Sequence, residues 1–209
     1  MKSVRHVLKS IGVSLFALCA VATAPQMALS EGIIGNQAPQ FTAKDSTGKE
    51  ISLNSFKGKV VVLEWFNPNC PFVKKFYKNG DMQRFQQDLG AKGVVWLTIS
   101  SSAPGKSGHL TAEQAEVTRV DLGMKSSALV LDESGTIGKA YGARTTPHTF
   151  VIAADGKLAY AGAIDSESST DADDIPKAKN YVIDAATNLL ANKPVEVSST
   201  EPYGCAVKY

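Results

Sequence analysis

The stretch Val60-Val-Val-Leu-Glu-Trp-Phe-Asn-Pro-Asn-Cys70-Pro-Phe-Val-Lys-Lys-Phe76 decides the fold. Val60 to Phe66 is apolar on both faces, which marks a central strand covered on two sides. A turn follows, and Phe72, Val73, Phe76 and Tyr77 recur at helical spacing. Cys70 therefore stands where a strand ends and a helix begins. The unpaired amides of a helix N-terminus favour an anion, so a thiol there ionises more readily. A thiolate is the nucleophile in disulfide exchange and in peroxide reduction.

Working outward, the pattern alternates between strand and helix. Residues 35–41 read as an extended opening segment, Asp45-Ser-Thr-Gly48 as a turn, and Ile51–Leu53 as a short strand. Downstream, Asn79-Gly80-Asp81 breaks the first helix, and Met82, Phe85 and Leu89 continue on one face. Val94–Ser100 is a second buried strand, and Thr111 opens a helix with Glu113 and Gln114 in its first turn. Ala128–Leu131 is a short strand and Ser134–Tyr141 a short helix. Thr149–Ala153 and Leu158–Gly162 flank Asp155-Gly156 as a hairpin. Ile175, Ala178, Val182, Ala185, Ala186 and Leu189 form the apolar stripe of a long final helix. The tail from Pro194 to Tyr209 carries little regular signal.

The N-terminus reads as a secretory leader. Lys2, Arg5 and Lys9 precede an apolar run from Ile11 to Ala24, and Ala28-Leu29-Ser30 offers a cleavage site after Ser30. The expected organisation is a signal peptide over 1–30 and one domain over 31–209. The mature protein is then exported to the periplasm, with no membrane span left. Cys19 goes with the leader. Without those three cations the balance is 19 basic against 20 acidic residues, so the sequence pI of 8.3 partly reflects the leader. No basic stripe suggests nucleic-acid binding. Cys70 and Cys205 remain, too few for a disulfide-stapled scaffold but suited to redox work in an oxidising compartment.

The order βαβ-α-ββα, a cysteine at the first strand–helix junction and Thr146-Pro147 before the hairpin together resemble the thioredoxin fold. The segments Ala38-Pro-x-Phe41, Asp45-x-x-Gly48 and Ser52-Leu-x-x-Phe-Lys-Gly-Lys59 resemble the redoxin branch, the alkyl hydroperoxide reductase/thiol-specific antioxidant (AhpC/TSA) superfamily. Asn67-Pro-Asn-Cys-Pro-Phe-Val73 and Tyr203-Gly-Cys-Ala-Val-Lys-Tyr209 look like a peroxiredoxin-like subgroup of it. The resemblance implies an α/β thioredoxin-like fold, a central mixed sheet flanked by helices, with an N-terminal redoxin-type extension. It also implies a cis bond before Pro147 and a loop there whose backbone pairs with a substrate chain. Asn67, Pro71, Thr146 and Pro147 are then the residues that meet a substrate beside Cys70.

The departures from that pattern are informative. Thioredoxins carry Cys-x-x-Cys; here Val73 stands at the second cysteine's position. Peroxiredoxins carry a threonine three residues before the reactive cysteine, where this chain has Asn67, and an arginine where it has Pro147, the nearest arginine being Arg144. Glu64 matches a thioredoxin aspartate that relays protons to the thiols. Its two readings are such a relay and a carboxylate paired with Lys59 or another cation. Cys205 has three readings: a thiol that resolves Cys70 during turnover, a permanent bridge to it, or a thiol that is free or pairs with another chain. His148 and His109 read as packing and solvated residues, without metal-ligand spacing to Cys70. Asp171, Asp173 and Asp174 read as a solvated helix start. Lys74 and Lys75 either act by charge, lowering the pKa of Cys70 or steering acidic substrates, or lie on an exposed helical face.

The sequence thus predicts a thiol–disulfide oxidoreductase that uses Cys70, with Cys205 and Glu64 in support and no organic or metal cofactor. Its partners are disulfide-bearing proteins or peroxide, and an electron donor that the sequence leaves unidentified. Two alternatives stand beside it: a peroxiredoxin-like peroxidase, and a non-enzymatic binding module with Cys70 and Cys205 locked together.

Overall fold

The computed structural model describes residues 32–209. The expected leader, its cleavage site and Cys19 lie outside the described residues. The elements run in chain order as β1 (Thr42–Lys44), β2 (Glu50–Ser52), β3 (Val61–Trp65), α1 (Pro71–Lys78), α2 (Asp81–Gly90), β4 (Val95–Ser100) and α3 (Ala112–Asp121). They continue as β5 (Ala128–Leu131), α4 (Thr136–Tyr141), β6 (Thr145–Thr146), β7 (His148–Ile152), β8 (Leu158–Gly162), α5 (Tyr181–Leu190) and β9 (Cys205–Ala206).

Five strands form the central sheet in the order β5-β4-β3-β7-β8. The β3–β4 and β4–β5 pairs are parallel, whereas β7 runs antiparallel to both β3 and β8. This is a mixed sheet with helices on both faces, the thioredoxin-like fold. β3 lies at its centre, and all five of its residues are buried. Alternation along β3 splits the core in two. Val62 and Phe66 join Phe76, Leu89, Trp96 and Val182 under α1, α2 and α5, while Val61, Leu63 and Trp65 join Phe150, Ile137 and Tyr141 on the side of α4. The β1–β2 hairpin packs over this second side through Ile51 and Ala43.

Local chemistry sets the boundaries. Gly80 adopts φ 84°, a left-handed conformation that glycine accepts at little cost, so α1 stops and α2 restarts there. Thr111 and Gln114 form a reciprocal capping box at the start of α3. The final helix is shorter than its stripe predicts. Ile175 lies in a separate 3₁₀ turn, Ala172–Lys177, interrupted by Pro176, which has no N–H to give a helix. The α-helix begins only after Asn180, whose side chain accepts from the Ile183 N–H at 2.9 Å. The tail also differs from expectation, because it contains β9. That strand pairs antiparallel with β6, with Thr146 opposite Cys205 and Thr145 opposite Ala206. Two-residue strands carry no periodic signal, so composition could not reveal them.

Candidate active site

β3 delivers the chain to the Asn67–Cys70 turn, and Cys70 is the N-cap of α1 with Pro71 at the first helical position. Proline suits that place, since its missing N–H would have no helical partner. Asn67 is buried and holds the turn: its amide donates to the Ser107 carbonyl at 3.0 Å and its oxygen accepts from the Asn69 N–H at 2.8 Å. Both polar ends of Asn67 are therefore committed to the protein. The Thr146–Pro147 bond is cis, as the resemblance implies. Thr146 brings its carbonyl to the Cys70 thiol, which donates to it at 2.9 Å.

The tail completes the site. Because Cys205 sits opposite Thr146 in the β6–β9 ladder, and Thr146 takes the Cys70 thiol on its carbonyl, the two cysteines are close enough for each to shift the ionisation of the other. Among the described residues both cysteines are free thiols, so the structure is that of the reduced dithiol. Burial works against a Cys70 thiolate. The Cys205 thiol, the Thr146 hydroxyl and the Val73 and Cys205 backbone N–H groups outweigh it, and the pKa of Cys70 lies below its ordinary value. Cys205 moves the other way, raised by burial and by the neighbouring Cys70 thiol and its charge. These opposite shifts make Cys70 the more readily ionised of the two thiols.

Several contacts fix the tail. Gly204 has φ 134°, and a Cβ on it would lie 2.2 Å from the Thr146 carbonyl oxygen, so only glycine passes this point. The Val207 N–H donates to Arg144 O at 3.0 Å, and the Ala103 N–H donates to Lys208 O at 2.8 Å. Arg144 also pairs with Glu201 at 2.9 Å, an exposed contact worth little by itself. The Tyr209 hydroxyl donates to Ala143 O at 2.7 Å. Tyr203 puts its hydroxyl on Asp165 and its ring against Phe72 and the Lys75 ammonium.

Lys75 corrects both of its sequence readings. It is neither an exposed cation nor one of the groups that lower Cys70. It is buried, 3.5 Å from Asp165, and donates to Glu167 O at 2.7 Å. Lys74 is exposed. Asp165, the Ser107 loop and the burial of Lys75 were not legible in the sequence. Apolar spacing around Lys75 reveals which side of α1 is buried, but not that a charge is buried with it.

Glu64 is fully buried, and among the described residues no cation pairs with it, which argues against the paired-carboxylate reading. It accepts from Trp96 Nε1 at 2.8 Å, from the Tyr77 hydroxyl at 2.9 Å, and from Gln86 and Thr98 at 3.3 Å each. Burial raises its pKa from 4.5 to about 7, and the four hydrogen bonds only moderate that rise. None of these bonds runs to Cys70, which has its own set of partners. His148 is buried against Phe150 at 4.4 Å between ring centroids and accepts the Arg144 N–H at 3.2 Å. Burial lowers its pKa to about 3, and the Arg144 charge adds to this, so the ring is neutral. His109 is half-buried, 3.5 Å from Glu133, and less solvated than expected. The side chain of Asp171 caps the 3₁₀ turn through the Asp173 N–H.

Residues 34–161 match the AhpC/TSA family. The chain is 32% identical over 127 residues to the thiol-disulfide oxidoreductase ResA of Bacillus thuringiensis subsp. konkukian. That match covers 60% of this chain and 66% of ResA, just under two thirds of the relative's length. An uncharacterized conserved protein from Geobacillus kaustophilus superposes with a TM-score of 0.71 at 25% identity, over 85% of this chain and 93% of that one. The thioredoxin domain of a thiol-disulfide oxidoreductase from Bacteroides vulgatus gives 0.51 at 20% identity, over 69% and 96%, a likeness of fold alone. The family match spans more than half of the sequence, from the opening segment through β8, and on that ground the chain belongs to the AhpC/TSA family.

Proposed function

We propose that this protein is an exported thiol–disulfide oxidoreductase in which Cys70 is the nucleophile and Cys205 the resolving thiol. The observation that carries the reading is the β6–β9 ladder, which sets Cys205 opposite Thr146, the residue whose carbonyl takes the Cys70 thiol. The similarity to ResA, named a thiol-disulfide oxidoreductase, supports the reaction class. The leader-like residues 2–30 support export.

In the reductive direction the Cys70 thiolate attacks one sulfur of a substrate disulfide. That S–S bond breaks, the other substrate sulfur leaves as a thiolate and takes a proton, and a Cys70–substrate disulfide forms. Cys205, having given up its proton, then attacks Sγ of Cys70. The mixed disulfide breaks, the second substrate thiol departs, and a Cys70–Cys205 disulfide remains. Substrate gains two electrons and the enzyme dithiol loses two. An external dithiol restores the reduced pair by the same exchange. The pKa pattern suits this order. Once Cys70 is in a mixed disulfide, its charge no longer opposes ionisation of Cys205, and the resolving thiol becomes easier to deprotonate.

Asn67 separates this reading from the peroxidase. It is buried, and one amide N–H and its oxygen brace the turn through Ser107 and Asn69, which favours a structural role over holding a peroxide. The test supplies the reduced protein with a peptide disulfide and, separately, with hydrogen peroxide. Exchange should be the faster, selective reaction. Rapid sulfenic acid formation at Cys70 with peroxide, and inert behaviour toward the peptide, would overturn the proposal.

A further inference from the structure

We propose that the C-terminal segment is a gate over Cys70, latched by Tyr203, and that an extended polypeptide substrate reaches the thiol only when this latch opens. The proposal rests on the reading of Cys70 as a nucleophile toward polypeptide disulfides, and it assigns a function to residues that the exchange chemistry does not use.

Three observations meet here. First, the Thr145–Thr146 edge beside Cys70 is already paired: β9 fills it, Val207 extends the pairing to Arg144, and Gly204 presses on the Thr146 carbonyl. A strand edge accepts one partner at a time, so an incoming chain and the tail exclude each other. Second, Cys70 is 2% exposed with the tail seated. A thiol so covered reacts only from a conformation in which its cover has moved. Third, the tail is fastened to the same helix that carries the nucleophile. Tyr203 donates to Asp165, Asp165 pairs with Lys75, and Lys75 belongs to α1.

Lys75 and Asp165 explain why Tyr203 is the latch. A buried ion pair is costly unless its remaining hydrogen-bonding capacity is met. Lys75 satisfies itself on Glu167 O and on the faces of Phe76 and Tyr203, at 5.1 and 5.7 Å from the ring centroids. Asp165 accepts from Tyr203, Lys75 and the Glu167 N–H. When the tail lifts, Asp165 loses its hydroxyl donor and Lys75 one aromatic face. Opening is thereby resisted at Tyr203. The exposed Arg144–Glu201 pair is a weaker tether.

The test removes Cys205 chemistry from every arm by using a Cys205→Ser background. The probe is the peptide of residues 201–209 with its cysteine activated as a 2-pyridyl disulfide. The readout is the rate of adduct formation at Cys70, followed by mass spectrometry, alongside the rate with the small reagent 4,4′-dithiodipyridine. Tyr203→Phe removes only the hydroxyl and should raise the peptide rate about tenfold, with the small reagent affected less. A chain ending at residue 200 should be faster still, and it keeps the test decisive if a point variant misfolds. Equal rates in the parent background and the truncated chain would overturn the gate. A faster truncated chain with unchanged Tyr203→Phe would overturn the assignment of the latch. Because the protein in every arm lacks its own Cys205, failure of the gate cannot be confused with failure of Cys205 as the resolving thiol.

Discussion

Replacing Glu64 with glutamine should flatten the response of stability to rising pH. Glu64 is fully buried in a cage of neutral donors, and its pKa is raised to about 7 against an ordinary value of 4.5. The folded protein therefore keeps this proton while the unfolded chain releases it. Stability from this group is fully present below pH 4.5 and is lost as pH rises through 7. The gap corresponds to about 3 kcal/mol in total, of which roughly 2 to 3 kcal/mol is lost between pH 5 and 8. Glutamine fits the cage. The carboxyl oxygen Oε1 meets only Tyr77, while Oε2 takes the Trp96, Gln86, Thr98 and remaining Tyr77 contacts, so an amide can keep its oxygen at Oε2 and turn its nitrogen toward Tyr77. Urea unfolding at pH 5 and pH 8 measures the difference between wild type and Glu64→Gln. Wild type should lose more stability than the variant by that amount. Equal losses would refute the argument, and a relative gain by wild type would mean that the four donors stabilise the carboxylate more than burial penalises it. The same variant tests the relay reading of Glu64. A lowered rate of proton-coupled exchange and a shifted Cys70 titration would support it, and an unchanged titration would sink it.

Three further outcomes are expected. His148 has the opposite linkage: its pKa falls to about 3 on folding, so stability is full above pH 6.5 and is lost as pH falls. Between pH 6.5 and 5 the loss from this group is about 2 kcal/mol, and calorimetry of His148→Gln should show it missing. Gly204→Ala cannot keep φ 134° against the Thr146 carbonyl. It should expel β9 and speed alkylation of Cys70 by about tenfold or more, read by a timed iodoacetamide pulse. Asn67→Ala removes the bonds to Ser107 and Asn69 and should cost about 1 to 3 kcal/mol in denaturant unfolding, with faster hydrogen exchange across residues 101–109.

Much of the architecture was legible because its signals are local. The both-face apolar run of β3, the glycine break at Gly80 and the capping box at Thr111 each reflect one short stretch of chain. The position of Cys70 was legible for the same reason, since a cysteine between a buried strand and a helix start is a local pattern. What escaped was long-range. The pairing of Cys205 with Thr146 joins residues 59 apart in the chain, and two residues of strand leave no periodicity to read. The burial of Lys75 depends on Asp165 and Tyr203, which approach it only after β8 and the tail are placed. The end of the last helix stripe at Pro176 was visible in the sequence, and there the apolar spacing outweighed a residue that cannot donate.

The most direct test of the account is a single turnover of the reduced full chain with one equivalent of a peptide disulfide, quenched in acid and mapped by mass spectrometry. The account predicts two products in sequence: a transient Cys70–peptide adduct, then a Cys70–Cys205 disulfide with both peptide thiols released. In Cys205→Ser the adduct should accumulate and the second step should be missing. A wild-type protein that stops at the Cys70 adduct, or that links Cys205 only to another chain, would contradict it.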